Sequence, residues 1–124
     1  MKGALALEIK RMFIYGTAFF RAWKELGFSD DDLRRLENML LRNPKLGDVI
    51  RGTGRMRKMR FAFPYRGKRG SARFCYVDFE EIEVLYLLAV FAKNEQENLT
   101  ATECNSLKKK IDCLKETLQR RKTK

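Results

Sequence analysis

Apolar residues recur along this chain with two different periods, and the switches between them mark its elements. Met12 to Tyr15 (MFIY) is an apolar run of strand length. Gly16-Thr17 then introduces a helix, with Thr17 as its expected N-cap and Phe19, Ala22, Trp23 and Leu26 on one face. Gly27 ends it. Ser29, followed by Asp30, Asp31 and Asp32, starts a second helix: a capping hydroxyl, then carboxylates at the positive end of the helix dipole. Leu33, Leu36, Leu40 and Leu41 form its apolar stripe, and Asn43-Pro44 stops it. Met59, Phe61 and Phe63 next alternate with Lys58, Arg60 and Ala62, a period of two that predicts a strand apolar on one face and basic on the other. Pro64 to Gly70 reads as a loop and Arg73 to Phe79 as a second strand. Ile82 to Ala92 is the third, joined to it by the acidic turn Asp78-Phe79-Glu80-Glu81. This third strand is apolar on both faces (Val84, Leu85, Leu87, Leu88, Val90), as expected at the centre of a sheet with helices on one side. Thr100 and Glu103 form a capping box for a last helix, with Cys104, Leu107, Ile111, Leu114 and Leu118 as its stripe and lysines opposite. Arg120 to Lys124 is a basic tail expected to fray.

The length of 124 residues is that of one domain, residues 1–124. Residues 1–11 carry no clear period and read as an extension ahead of it; 100–120 are the C-terminal helix. With 44% hydrophobic and 35% charged residues the chain is too apolar to be disordered and too charged to be an integral membrane protein. Its longest apolar run, Val84 to Ala92, is nine residues, about half of a membrane span. Glu8, Lys10 and Arg11 interrupt the first apolar stretch too early for a signal peptide, so the expected location is cytoplasmic. The last helix has cationic flanks, but its apolar face lacks aromatics and suits docking on a sheet better than a membrane. The absence of histidine removes Ser-His-Asp and Cys-His catalysis and every metal site built on imidazole. Cys75, Cys104 and Cys113 have no C-x-x-C spacing and are expected to be reduced thiols packed as small apolar residues, with no metal site.

Charge changes the picture most. Lys and Arg number 27 against 16 Asp and Glu, a net charge of +11. No acidic residue occurs between Asp48 and Asp78, an interval holding Arg51, Arg55, Arg57, Lys58, Arg60, Arg66, Lys68, Arg69 and Arg73. A single-sign stretch of this density on a strand pair and its loop is the footprint of a nucleic-acid partner rather than of a merely solvated face. Tyr65, Phe63 and Tyr76 are available for base stacking, Phe63 and Tyr76 being equally candidates for the core.

The segments LENMLLRNPKLGDVIRGTGRMRKMRFA (36–62), GKRGSARFCYV (67–77) and LLAVFAKNEQENLT (87–100) carry the motifs NP-x-x-GDVI-x-GTG, R-K-x-R, GKRG-x-AR and AKNE-x-x-x-LT. In these the chain resembles the RelE/ParE toxin superfamily, in its HigB-like branch. The resemblance implies an α+β, RelE-like microbial RNase fold: a small antiparallel sheet packed against two N-terminal helices and a C-terminal helix. It implies no cofactor, cleavage of messenger RNA in the ribosomal A site to block translation, and neutralisation by a cognate antitoxin. In such an enzyme the RNA 2′-hydroxyl is the nucleophile, so the protein supplies a proton acceptor, a proton donor and cations for the phosphorane.

On this resemblance Arg60 and Arg73 hold the scissile phosphate, Lys58 or Lys93 transfers a proton, and Arg55, Arg57, Arg66, Lys68 and Arg69 hold the RNA backbone, the alternative for Arg57 and Lys93 being a surface or antitoxin-docking role. Crowding cations on one face lowers the pKa of a lysine among them, which suits it to acid–base work. Where other members carry an aromatic or imidazole after the last strand, this chain has Asn98, Leu99 and Thr100: either the lysines substitute or cleavage is weak. Two other readings share these residues, a ParE-like toxin that inhibits gyrase by binding and a non-catalytic nucleic-acid-binding module.

Overall fold

The computed structural model describes residues 9–62, 71–92 and 99–122. The elements in order are β1 (Met12–Tyr15), α1 (Phe19–Glu25), α2 (Asp30–Arg42), β2 (Asp48–Val49), β3 (Met56–Ala62), β4 (Ser71–Phe79), a 3-10 turn (Glu80–Ile82), β5 (Val84–Ala92) and α3 (Ala101–Lys122). The strands form a single five-stranded sheet in the order β1-β5-β4-β3-β2. The expected antiparallel pairing holds for β2 to β5, while β1 runs parallel to β5, Met12 standing opposite Val84. The fold is α+β, with helices on two faces rather than one. Phe19 and Trp23 of α1 and Leu33, Leu36 and Leu40 of α2 pack on Phe61, Phe74, Tyr76, Leu85 and Leu87. On the opposite face Ile111 and Leu118 of α3 pack on Met56, Val77, Phe79 and Val84. Two covered faces explain the apolar character of β5 better than the single covered face expected from sequence. Each fully buried Leu or Phe contributes about 1.5–3 kcal/mol.

Local chemistry accounts for the helix ends. The Ser29 hydroxyl accepts from Asp32 N (3.1 Å) and the Asp32 carboxylate accepts from Ser29 N (2.9 Å), closing the box that starts α2. Thr100 and Glu103 do the same for α3. Thr17 does not cap α1. The N-cap is Ala18, which makes no side-chain bond, and the entry is set by the sheet instead: Gly16 N donates to Leu87 O (2.7 Å) and Gly16 O accepts from Phe19 N (3.0 Å).

Leu41 is half-buried, at the margin of the α2 stripe. Ile82 closes the 3-10 turn, so the third strand begins at Val84. The expected fraying after Arg120 does not begin there, because α3 continues to Lys122, whose ammonium donates to Ile82 O (2.7 Å). Cys75 and Cys104 pack as small apolar residues, whereas Cys113 is exposed. At the other end of the chain Arg11, read from sequence as part of an extension, forks onto the Asp78 carboxylate at 2.7 and 3.2 Å and pins the start of β1.

Candidate nucleic-acid interface

The most distinctive motifs turn out to hold the frame of the site. In NP-x-x-GD the Tyr76 hydroxyl accepts from Gly47 N (2.9 Å) and donates to Pro44 O (2.8 Å). Arg57 donates to Gly47 O (2.6 Å) and Lys45 O (3.2 Å) from the same side. A Cβ at Gly47 would stand 3.0 Å from the Tyr76 ring and 3.1 Å from Lys58 O, so only glycine lets the turn approach both. In I-x-GTG the fully buried Thr53 donates to Ile50 O (2.7 Å) and accepts from Met56 N (3.2 Å), which turns the chain from β2 into β3. Gly52, at φ 89°, carries the underside of α3, its missing Cβ lying 3.2 Å from Cys104 Cβ.

That frame fixes β3 against β4 in a register that puts Arg60 directly opposite Arg73 and Lys58 opposite Cys75. Directly opposed residues share a face, so Lys58, Arg60 and Arg73 lie together on the face that α3 covers toward the other ends of these strands. Arg60 is exposed, and Lys58 and Arg73 are half-buried. Among the described residues no carboxylate pairs with Arg60 or Arg73. Two like charges opposed on neighbouring strands are destabilising. They are kept at a place where an anion would relieve them.

On the same face, opposite Lys58, the Cys75 thiol is pushed up to about 11, burial outweighing the opposing effect of Lys58. As a neutral thiol it adds no charge of its own to this face. Sequence reasoning missed Asp48, which β2 places opposite Lys58 as the carboxylate nearest this face in the register. A two-residue strand has no period to read, so alternation gave no signal for it.

Arg55, Arg57 and Tyr76 are elsewhere. Arg55 forks onto Glu81 at 2.7 and 2.8 Å, donates to Asp78 O (3.0 Å) and lies 5.0 Å from the Phe79 ring centroid. Its pKa is raised by the bond to Glu81, and its cation is matched within the protein. Arg57 faces the α2 side, where it holds the Gly47 turn. Tyr76, considered for stacking, is wholly buried in the core. Arg66, Lys68, Arg69 and Lys93, together with Phe63 and Tyr65, lie outside the described residues. No helix among the described residues is long and apolar enough to cross a membrane, and no cluster of three or more Cys, Asp or Glu among them could hold a metal ion.

No family model matches the chain. Solved structures do. It superposes on E. coli toxin RelE, an arginine-to-alanine double mutant in the free state, with a TM-score of 0.54 at 19% identity, over 82% of this chain and 96% of that one. Against the isolated E. coli RelE toxin the TM-score is 0.51 at 18% identity, over 70% of this chain and 88% of the other. The α+β fold is therefore that of RelE, the fold the sequence motifs imply.

Proposed function

We propose that this protein is the toxin of a type II toxin–antitoxin pair, of the HigB-like branch, acting in the cytoplasm as a ribosome-dependent, metal-independent endoribonuclease on messenger RNA. The observation that carries the reading is Arg60 opposed to Arg73 with no carboxylate among the described residues to match them, on the fold of a RelE toxin. In the reaction the 2′-oxygen of one nucleotide bonds to the adjacent phosphorus and the bond to the 5′-oxygen breaks. A 2′,3′-cyclic phosphate and a free 5′-hydroxyl result.

Arg60 and Arg73 take the phosphate oxygens, where negative charge grows as the phosphorane forms. Lys58, on the same face, or Lys93, which follows β5 in sequence, moves the proton from the 2′-hydroxyl or to the leaving oxygen. Arg66, Lys68 and Arg69 hold the backbone of the RNA. Arg55 and Arg57 belong to the frame. A single-sign face of this kind calls for a cognate antitoxin whose acidic or helix-turn-helix segment covers residues 55–73 or displaces α3.

The test is a cell-free bacterial translation reaction with purified protein, in which reporter messenger RNA ends are mapped by primer extension beside ribosome-free RNA. Cuts in register with codons, and only with translating ribosomes, are the expected result. Intact RNA in both reactions, with folded protein, would overturn the reading in favour of gyrase inhibition or binding alone.

A further inference from the structure

Beyond Ala89 the register of β5 shifts by one residue. Tyr76 stands opposite Leu87 and Cys75 opposite Ala89, so Leu88 is the extra residue of a β-bulge. Strict alternation from Val84 and Tyr86, which face α3, would carry Val90 to that face and turn Phe91 under α1 and α2. The bulge reverses this outcome. Val90 joins the α1–α2 core, and Phe91 stands opposite Arg73 on the cationic face. Arg60, Arg73 and Phe91 thereby form one row across three adjacent strands, each about 4.8 Å from the next. Phe91 is half-buried, leaning on the apolar cluster under α3 while keeping part of its surface open.

We infer that Phe91 is the platform on which one base of the bound RNA stacks, beside the phosphate held by Arg73 and Arg60. This inference rests on the ribonuclease reading for its ligand and deepens it. An unpaired nucleotide presents an anionic phosphate and a flat apolar base within one residue's reach. A guanidinium and a phenyl ring on neighbouring strands match those two parts in order. A stack of this sort accepts every base, so it adds affinity and favours purines without fixing a sequence. A purely structural Phe91 would need no bulge, because Val90 in its place could close the same apolar cluster.

The test compares binding of two short single strands of equal length and charge at fixed salt, a 2′-O-methyl oligoadenylate that cannot be cut and an abasic phosphodiester. The parent protein is expected to bind the base-bearing strand about 10-fold more tightly, the scale of one base–aromatic stack. Phe91→Leu, which keeps an apolar side chain of similar bulk, should remove that difference and leave affinity for the abasic strand unchanged. Phe91→Tyr should restore it. Equal loss for both strands, or no loss for either, would overturn the inference, as would a parent protein that shows no preference for bases. Base-dependent binding through Phe91 without ribosome-dependent cuts would leave the platform standing and overturn the ribonuclease reading alone.

Discussion

Asp78 and Arg73 lie five positions apart on β4, about 17 Å along a strand, and their charges meet opposite surroundings. Around Asp78 the carboxylates of the β4–β5 corner each reach a cation. Asp78 takes Arg11 (2.7 Å), Glu80 takes Lys45 (2.8 Å), and Glu81 takes Arg55 (2.7 Å) and Lys115 (3.2 Å). These pairs tie β1, the α2–β2 turn, β3 and α3 to one corner of the sheet. At the far end Arg73 meets Arg60, with no carboxylate among the described residues to match them. Charge that is neutralised within the protein holds elements together. Charge left over, like that of Arg60 opposite Arg73, stands at an energetic disadvantage. Both ends belong to one strand pair, so the corner can be taken apart without touching the face, and the reverse.

The corner should show the largest effect. Asp78 and Arg11 have side-chain exposures of 4% and 10%, so removing one partner strands a nearly buried charge. Asp78→Ala is expected to lower stability by about 3–5 kcal/mol, read as a fall in the urea midpoint at unchanged m. A loss under about 1 kcal/mol would make the pair a surface bridge and dissolve the contrast.

Arg73→Ala should act the other way round. Ribosome-dependent cleavage is expected to fall by about 10²–10³-fold, while the melting temperature stays level or rises slightly as the opposed charge is removed. If cleavage and ribosome affinity fell by equal factors, Arg73 would be a phosphate contact only, and the salt slope of binding would drop by about one.

How much of this was legible beforehand follows from range. Ser29 with Asp32 and Thr100 with Glu103 are contacts over three residues, and the sequence states them outright. The alternation through Lys58, Met59 and Arg60 likewise assigned the faces of β3 correctly. Nothing local could reveal that Arg55, in the same basic run, is matched by Glu81, or that Arg11 is matched by Asp78 sixty-seven residues away. Alternation therefore brought Lys58, Arg60 and Arg73 together, while counting cations alone could not exclude Arg55 and Arg57 from their face. The bulge at Leu88 was equally hidden, since an apolar run reads the same with or without a register shift.

Acid should probe the corner more gently than substitution. The fork from Arg55, helped by Lys115, pushes the Glu81 carboxyl down to about 2. A lowered folded-state pKa gives stability that is fully present above the unfolded value, about 4.3, and is lost as pH falls through the folded value. The expected loss from Glu81 between about pH 5 and pH 2 is about 1 kcal/mol once solvent screening of this partly exposed pair is allowed for. Glu81→Gln should remove that part of the acid dependence. An unchanged acid profile would assign the whole transition to the other carboxylates.

The smallest effect separates charge from backbone within the corner itself. Glu83 is the one non-glycine residue with positive φ among those described (φ 58°, ψ 42°), a left-handed conformation that disfavours a side chain. Its carboxylate stands 3.9 Å from Lys122 Nζ, with 56% and 39% of the two side chains exposed, so this bridge contributes little. Lys122 is held instead by Ile82 O at 2.7 Å, a bond that survives loss of the carboxylate. Glu83→Gly relieves the left-handed backbone while making the unfolded chain more flexible, and the two nearly offset. The expected net is a gain of about 0.5 kcal/mol in the urea midpoint assay. A loss of more than about 1 kcal/mol would mean that even the exposed carboxylate of the corner is structural, which would extend the neutralised region to the foot of α3 and strengthen its contrast with Arg60 and Arg73.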